Sequence, residues 1–222
     1  MCSLIRLLIA LPLLCLSTHV VCAQDPWRLE KDEDGIRISS RAVEGWDIRE
    51  MRGQMTMAGP LASVVAVIDD PAAIPQLNEF VVSTTVQNRQ SATRCQMYSL
   101  TKMPWPLKDR DIVMQREILQ DPATLAVTVT DTAIEGAVPE KKDLVRIKRS
   151  RQQWTLTPAA DGRIAVELRM LSDPNGPIPT SLLNSMSVST PYKTLGRLRE
   201  LARKPKYAGA RPGFIKDAPG RS

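Results

Sequence analysis

Between Ile36 and Leu171 the chain alternates apolar and polar residues in short runs, and after Pro177 it switches to the period of a helix. This switch constrains the fold more than any other feature, because period two belongs to half-buried strands and period 3.6 to an amphipathic helix. Ile36–Ala42 and Arg49–Met57 flank Gly45 and read as a hairpin, with Met51, Met55 and Met57 on one face. Pro60–Ile68 reads as a short helix with Pro in its first turn, Asp70-Pro71 ends it, and 72–80 is a second helical or irregular piece. Further strands are predicted over 81–87, 94–101, 111–119, 125–133, 144–156 and 163–171. Asp121-Pro122, Pro139-Glu140 and Asp161-Gly162 mark turns between them. There is no βαβ alternation and no Gly-rich phosphate loop, which disfavours a nucleotide-binding fold.

The final helix carries Leu182, Leu183, Met186, Leu195, Leu198 and Leu201 on its apolar side. Pro191 inside it removes a helix hydrogen bond, so a kink or break is expected there. One long amphipathic helix must bury its apolar side against the only large surface available, which is the sheet. The expected architecture is therefore α+β, a helix-grip fold in which a curved antiparallel sheet wraps around a long C-terminal helix.

The first 23 residues read differently. Arg6, the apolar run Leu7–Leu16 and the small residues before Gln24 have the layout of a secretory signal cleaved after Ala23. The apolar run is too short to span a bilayer, and nothing later in the chain offers a span, so a polytopic membrane protein is excluded. Export to the periplasm or medium is the expectation, and it removes Cys2, Cys15, Cys22 and the lone His19. From residue 24 onward there is one cysteine, Cys95, and no histidine. Ser-His-Asp and Cys-His catalysis, an internal disulfide and zinc held by His or Cys clusters are therefore excluded. Cys95 is read as a small core residue rather than a reactive thiol.

The formal charge of +6 is unevenly placed. Residues 203–222 hold six basic residues against Asp217, whereas 24–202 holds 23 of each sign. The basic excess thus describes a tail and not a basic stripe, and no nucleic-acid partner is expected. With Pro205, Gly209, Pro212, Gly213, Pro219 and Gly220, this tail reads as disordered. The domain plan is a signal over 1–23, one domain over 24–202 and a basic tail over 203–222.

Three segments, in order, resemble the START (steroidogenic acute regulatory protein-related lipid transfer) family. They are Trp27-Arg28-Leu29-Glu30-Lys31-Asp32-Glu33-Asp34-Gly35-Ile36, Met103-Pro104-Trp105-Pro106-Leu107-Lys108-Asp109-Arg110-Asp111, and Asp173-Pro174-Asn175-Gly176-Pro177-Ile178-Pro179 followed by Leu182-Leu183-Asn184 and Pro191-Tyr192. The resemblance implies a lipid or other hydrophobic ligand held in a tunnel between sheet and C-terminal helix, with no cofactor. It also places Arg110-Asp111 at the family's Arg-Asp step and Arg116 at a basic position on the same strand. In steroidogenic members that arginine pairs with a Glu on the preceding strand. Here the preceding strand, Arg94–Leu100, has no carboxylate, so sterol specificity does not carry over.

The candidate ligand-binding residues follow from the phase of each element. Arg116 alternates with Ile112 and Met114 and either meets a ligand headgroup or pairs with a structural acid. Tyr98 offers a hydroxyl to the same headgroup or forms an aromatic wall. Trp105, between two prolines, either closes the tunnel, touches a membrane surface or anchors its loop. Leu182, Leu183 and Met186 lie on the lid side of the helix. A non-catalytic binding module is the first reading. The alternatives are a polyketide cyclase- or dehydratase-like enzyme of the same architecture, and an envelope interaction protein.

Overall fold

The computed structural model describes residues 26–159 and 161–217. The signal-sequence expectation over 1–23 lies outside them. The elements in order are β1 (Arg28–Glu33), β2 (Ile36–Arg41), β3 (Glu50–Ala58), α1 (Leu61–Asp69), α2 (Ile74–Leu77), β4 (Val81–Arg89), β5 (Arg94–Thr101) and β6 (Arg110–Gln120). Then come β7 (Val127–Ala133), β8 (Val145–Arg146), β9 (Arg149–Pro158), β10 (Arg163–Asp173), α3 (Thr180–Leu201) and α4 (Pro205–Ala208).

The strands form one curved, open antiparallel sheet in the order β1-β2-β3-β10-β9-β7-β6-β5-β4. The short β8 runs parallel to the start of β6. Most neighbours in this order are hairpins or near-hairpins. The non-local joint is β3 against β10, paired from Arg163↔Ala58 to Met170↔Met51. In the central strands β3 and β10 the inward residues are apolar and buried: Met51, Met55 and Met57 of β3, and Ile164, Val166 and Leu168 of β10.

Helix α3 closes the concave face by packing on β2, β3 and β10. Its C-terminal half supplies the anchor, with Leu195 and Leu198 fully buried. Gly53 on β3 makes the close approach possible, since a Cβ there would lie 2.7 Å from Leu195 Cδ1. Of the kink or break expected at Pro191, the break is not found: α3 is continuous through it. Pro191 is itself buried, and burial of the leucines that follow offsets the helix penalty of about 3 kcal/mol.

The expectation of a disordered tail is corrected as far as residue 217. Tyr207 in α4 is buried and donates to the Asp70 carboxylate at 2.8 Å. Asp217 accepts the Ala62 backbone N–H at 3.1 Å, and Phe214 and Ile215 pack on the core. The segment covers α1, whose Leu61, Val64, Val65 and Ile68 are buried. Three spaced apolar anchors dock it where composition alone reads as solvated chain. Residues 218–222 lie outside the described residues.

Candidate functional site

Between the sheet and α3 lies a cavity of ≈ 260 Å³. Its floor is built from the inward phase of β6 and β5, with Ile112, Met114, Ser99 and Thr101 in the wall. The roof comes from one stripe of α3, Leu183, Met186, Ser187 and Thr190, whose spacing of three and four brings them to a single face. Ile74 and Leu77 of α2 and Trp154 of β9 close its sides. The lining is mainly apolar with a few polar groups, which is the composition of a small-molecule site.

Of the sequence-derived candidates, Arg116, Met114, Leu183 and Met186 line this cavity. Leu182, Tyr98 and Trp105 are not in the lining. Leu182 sits one residue off the inward stripe, about 100° around the helix from Leu183. Tyr98 lies in the opposite phase of β5 from the buried Met97 and Ser99, so it points away from the ligand space. Its hydroxyl donates to Asp111 Oδ2 at 3.1 Å, and Lys141 Nζ stands 5.0 Å from its ring centroid. Trp105 is 92% exposed.

Arg116 is 2% exposed and already has its counter-ion. Nε and Nη2 donate to the two Asp131 carboxylate oxygens, each at 2.7 Å. Nη1 donates to the Ile68 carbonyl, and Asp69 Oδ1 stands 3.9 Å away. Burial alone would lower the pKa of this guanidinium, but Asp131 outweighs it and holds the pKa above its ordinary value. Asp69 moves the other way: burial raises its carboxyl pKa despite Arg116. The acid that was missing from the preceding strand is thus supplied by the following one, in direct register (Arg116↔Asp131). Sequence reasoning missed Asp131, although its position in phase with the buried Val127 and Val129 was the available signal.

A second buried pair lies on the convex face. Arg146 donates from Nε and Nη2 to Asp111 at 2.8 and 2.9 Å. Burial would raise the Asp111 pKa, yet the Arg146 bonds hold it below the usual carboxylate range. Arg110, next in sequence, faces the cavity and is 2% exposed. Cys95 is buried, and burial pushes its thiol pKa up, which fits a core residue rather than a nucleophile.

The comparisons with known proteins agree with this geometry. The START domain family model matches residues 24–206. An uncharacterised protein of Pseudomonas aeruginosa is 28% identical over 186 residues, covering 81% of this chain and 88% of that protein. The crystal structure of a fragment of the STAR-related lipid transfer protein of Xanthomonas axonopodis is 36% identical, with TM-score 0.73 over 81% of this chain and 100% of that one. Human StAR-related lipid transfer protein 5 superposes with TM-score 0.72 at 16% identity, over 80% of this chain and 86% of that one, which is a likeness of fold.

Proposed function

The chain belongs to the START domain family, and from that premise we propose that it is an exported carrier that holds a lipid or other hydrophobic molecule between its sheet and α3. The observation that carries this reading is the cavity of ≈ 260 Å³, with Ile112 and Met114 on one side and Leu183 and Met186 on the other. Burying acyl carbons there contributes about 0.8 kcal/mol per CH₂, so a chain supplies the affinity and the few polar groups choose its head.

Binding without catalysis is favoured because Arg116 and Tyr98, the side chains an enzyme of this architecture could turn to acid–base chemistry, are engaged elsewhere. Arg116 is held in a bidentate ion pair, and Tyr98 bonds Asp111 on the convex face. The layout of residues 1–23 supports a periplasmic or secreted location. Transient membrane contact is supported by Trp105, which stands exposed between the exposed Lys102 and Lys108 in the loop leading to the cavity-lining Arg110.

Native mass spectrometry of the purified protein, with lipid extraction, tests the reading. The expected result is a co-purified hydrophobic ligand that is lost in Met186→Trp while the melting temperature is retained. A wild-type protein that carries no such ligand and takes up none from mixed lipid would refute it.

A further inference from the structure

The cavity-lining arginines differ in how their charge is met. Arg116 has Asp131. Arg49 and Arg151 are exposed, and Arg49 donates to the Ser40 hydroxyl at 2.8 Å. Arg110 is as buried as Arg116, at 2% exposure, yet forms no ion pair among the described residues. Its Nε donates to the Pro174 carbonyl at 3.3 Å, Nη2 to the Asn175 carbonyl at 3.2 Å and Nη1 to the Lys108 carbonyl. All three acceptors are neutral. The adjacent Asp109 is tied by the Met103 N–H, which donates to Oδ1 at 2.9 Å.

The electrostatic consequence has the same sign as the geometry. Burial holds the Arg110 pKa below its ordinary value, with only Asp109 opposing, whereas Arg116 and Arg146 are raised by their carboxylates. A guanidinium has five N–H donors, and three carbonyl bonds leave two of them. Thr101, directly opposite Arg110 in the β5–β6 register, lines the same wall with a hydroxyl. A buried cation with no ion-pair partner among the described residues, facing a cavity, offers an entering anion a charge-assisted bond.

We propose that the cavity selects an anionic, single-chain amphiphile whose carboxylate or phosphate pairs with Arg110, a proposal that rests on the binding reading above. The chain count follows from size. A cavity of ≈ 260 Å³ lies just under the range of roughly 300–1,000 Å³ typical of ligand pockets, which suits one chain and not two.

The test measures dissociation constants of decanoate, decyl phosphate and decanol, three probes with one chain length, by calorimetry on the chain purified from residue 24 onward. Both anions are expected to bind roughly tenfold or more tightly than decanol, the scale of one charge-assisted hydrogen bond. In Arg110→Gln the preference should fall to near unity, with decanol binding little changed. Tighter binding of decanoate than of decyl phosphate assigns a carboxylate ligand, and the reverse order assigns a phosphate headgroup.

Because Arg110 also ties the 174–175 segment, the wild-type comparison is decisive even where the variant fails to fold. Decanol binding as tightly as both anions overturns the anion assignment and leaves the binding reading intact. Failure of all three probes overturns both. Loss of the preference in Arg49→Gln with its retention in Arg110→Gln also overturns the assignment and moves the anion to Arg49.

Discussion

Removing Arg116 should cost more stability than removing Asp131, although the two form one pair. Taking one partner from a buried ion pair destabilises by about 3–5 kcal/mol, and the surroundings decide where in that range each variant falls. In Asp131→Asn the guanidinium keeps the Ile68 carbonyl and the Asp69 carboxylate, whose Oδ1 is 3.9 Å from Nη1. That variant belongs at the low end, about 3 kcal/mol. In Arg116→Met, Asp131 stays 1% exposed with no other ion-pair partner among the described residues, and Asp69 loses the cation that opposes its raised pKa. That variant belongs at the high end, about 5 kcal/mol. At roughly 2–4 °C per kcal/mol for a domain of this size, the melting temperatures should fall by about 6–12 °C and 10–20 °C.

The pH dependence separates the two variants further. Without Arg116, the Asp69 carboxyl keeps the burial that raises its pKa and loses the cation that opposes it. Its penalty is then present at neutral pH and relieved as pH falls through the raised folded value. Asp131→Asn has no carboxyl at that position and keeps Arg116 beside Asp69, so its penalty should change little over the same range. Urea denaturation at several pH values reads both effects. The double variant Arg116→Met/Asp131→Leu should recover much of the loss, because an apolar pair of similar volume removes both charges of the pair and leaves only Asp69 without its cation. An Arg116→Met variant within about 1 kcal/mol of wild type at pH 7, or a double variant as unstable as the worse single, would refute the reasoning.

Gly53→Ala should destabilise by about 1–3 kcal/mol in thermal melts, because its new methyl would press on the fully buried Leu195; Gly209→Ala, with nothing within 4 Å, should change less than about 0.5 kcal/mol. Asp70→Asn should cost about 1–2 kcal/mol at pH 7 by weakening the Lys206 and Tyr207 contacts. Burial raises the Asp70 carboxyl pKa, but these bonds outweigh it and depress the net value, so the stabilisation is present above about pH 3.9 and lost as pH falls through the folded value. Wild type and variant should therefore converge in acid, and an unchanged gap would refute the account. Trp105→Ala should leave the melting temperature unchanged while reducing co-sedimentation with anionic vesicles, and equal sedimentation would remove the membrane role.

What the sequence disclosed depended on whether burial left a periodic trace. Strand β5 was legible to the residue because Cys95, Met97 and Ser99 alternate inward between polar neighbours. Strand β1 was not read as a strand, since Arg28–Glu33 is an edge element with no buried residue to mark a phase. The stretch 144–156 read as one strand, but Val145–Arg146 joins β6 while Arg149–Pro158 joins β7 and β10. The partner that separates them, Asp111, is 35 residues away from Arg146 in sequence. Tyr98 and Leu182 were misplaced through phase, each one residue away from the set that faces the cavity. Asp131 was overlooked because the search for a counter-ion stopped at one neighbouring strand.

Strand β6 holds the argument about specificity in three of its residues. Asp111 faces outward and is neutralised by Arg146; Arg116 faces inward and is neutralised by Asp131. In both cases a carboxylate and a guanidinium meet through two bonds, which is the arrangement that makes burial of charge tolerable. Arg110 also faces inward, equally shielded from solvent, and its guanidinium hydrogen-bonds only carbonyls. A fold that balances two buried ions on one strand and leaves the third to neutral acceptors has left it at the wall of its cavity. The headgroup contact first sought at Arg116 is therefore assigned to Arg110, six residues earlier in the same phase, where an anion gains a cation that forms no ion pair among the described residues.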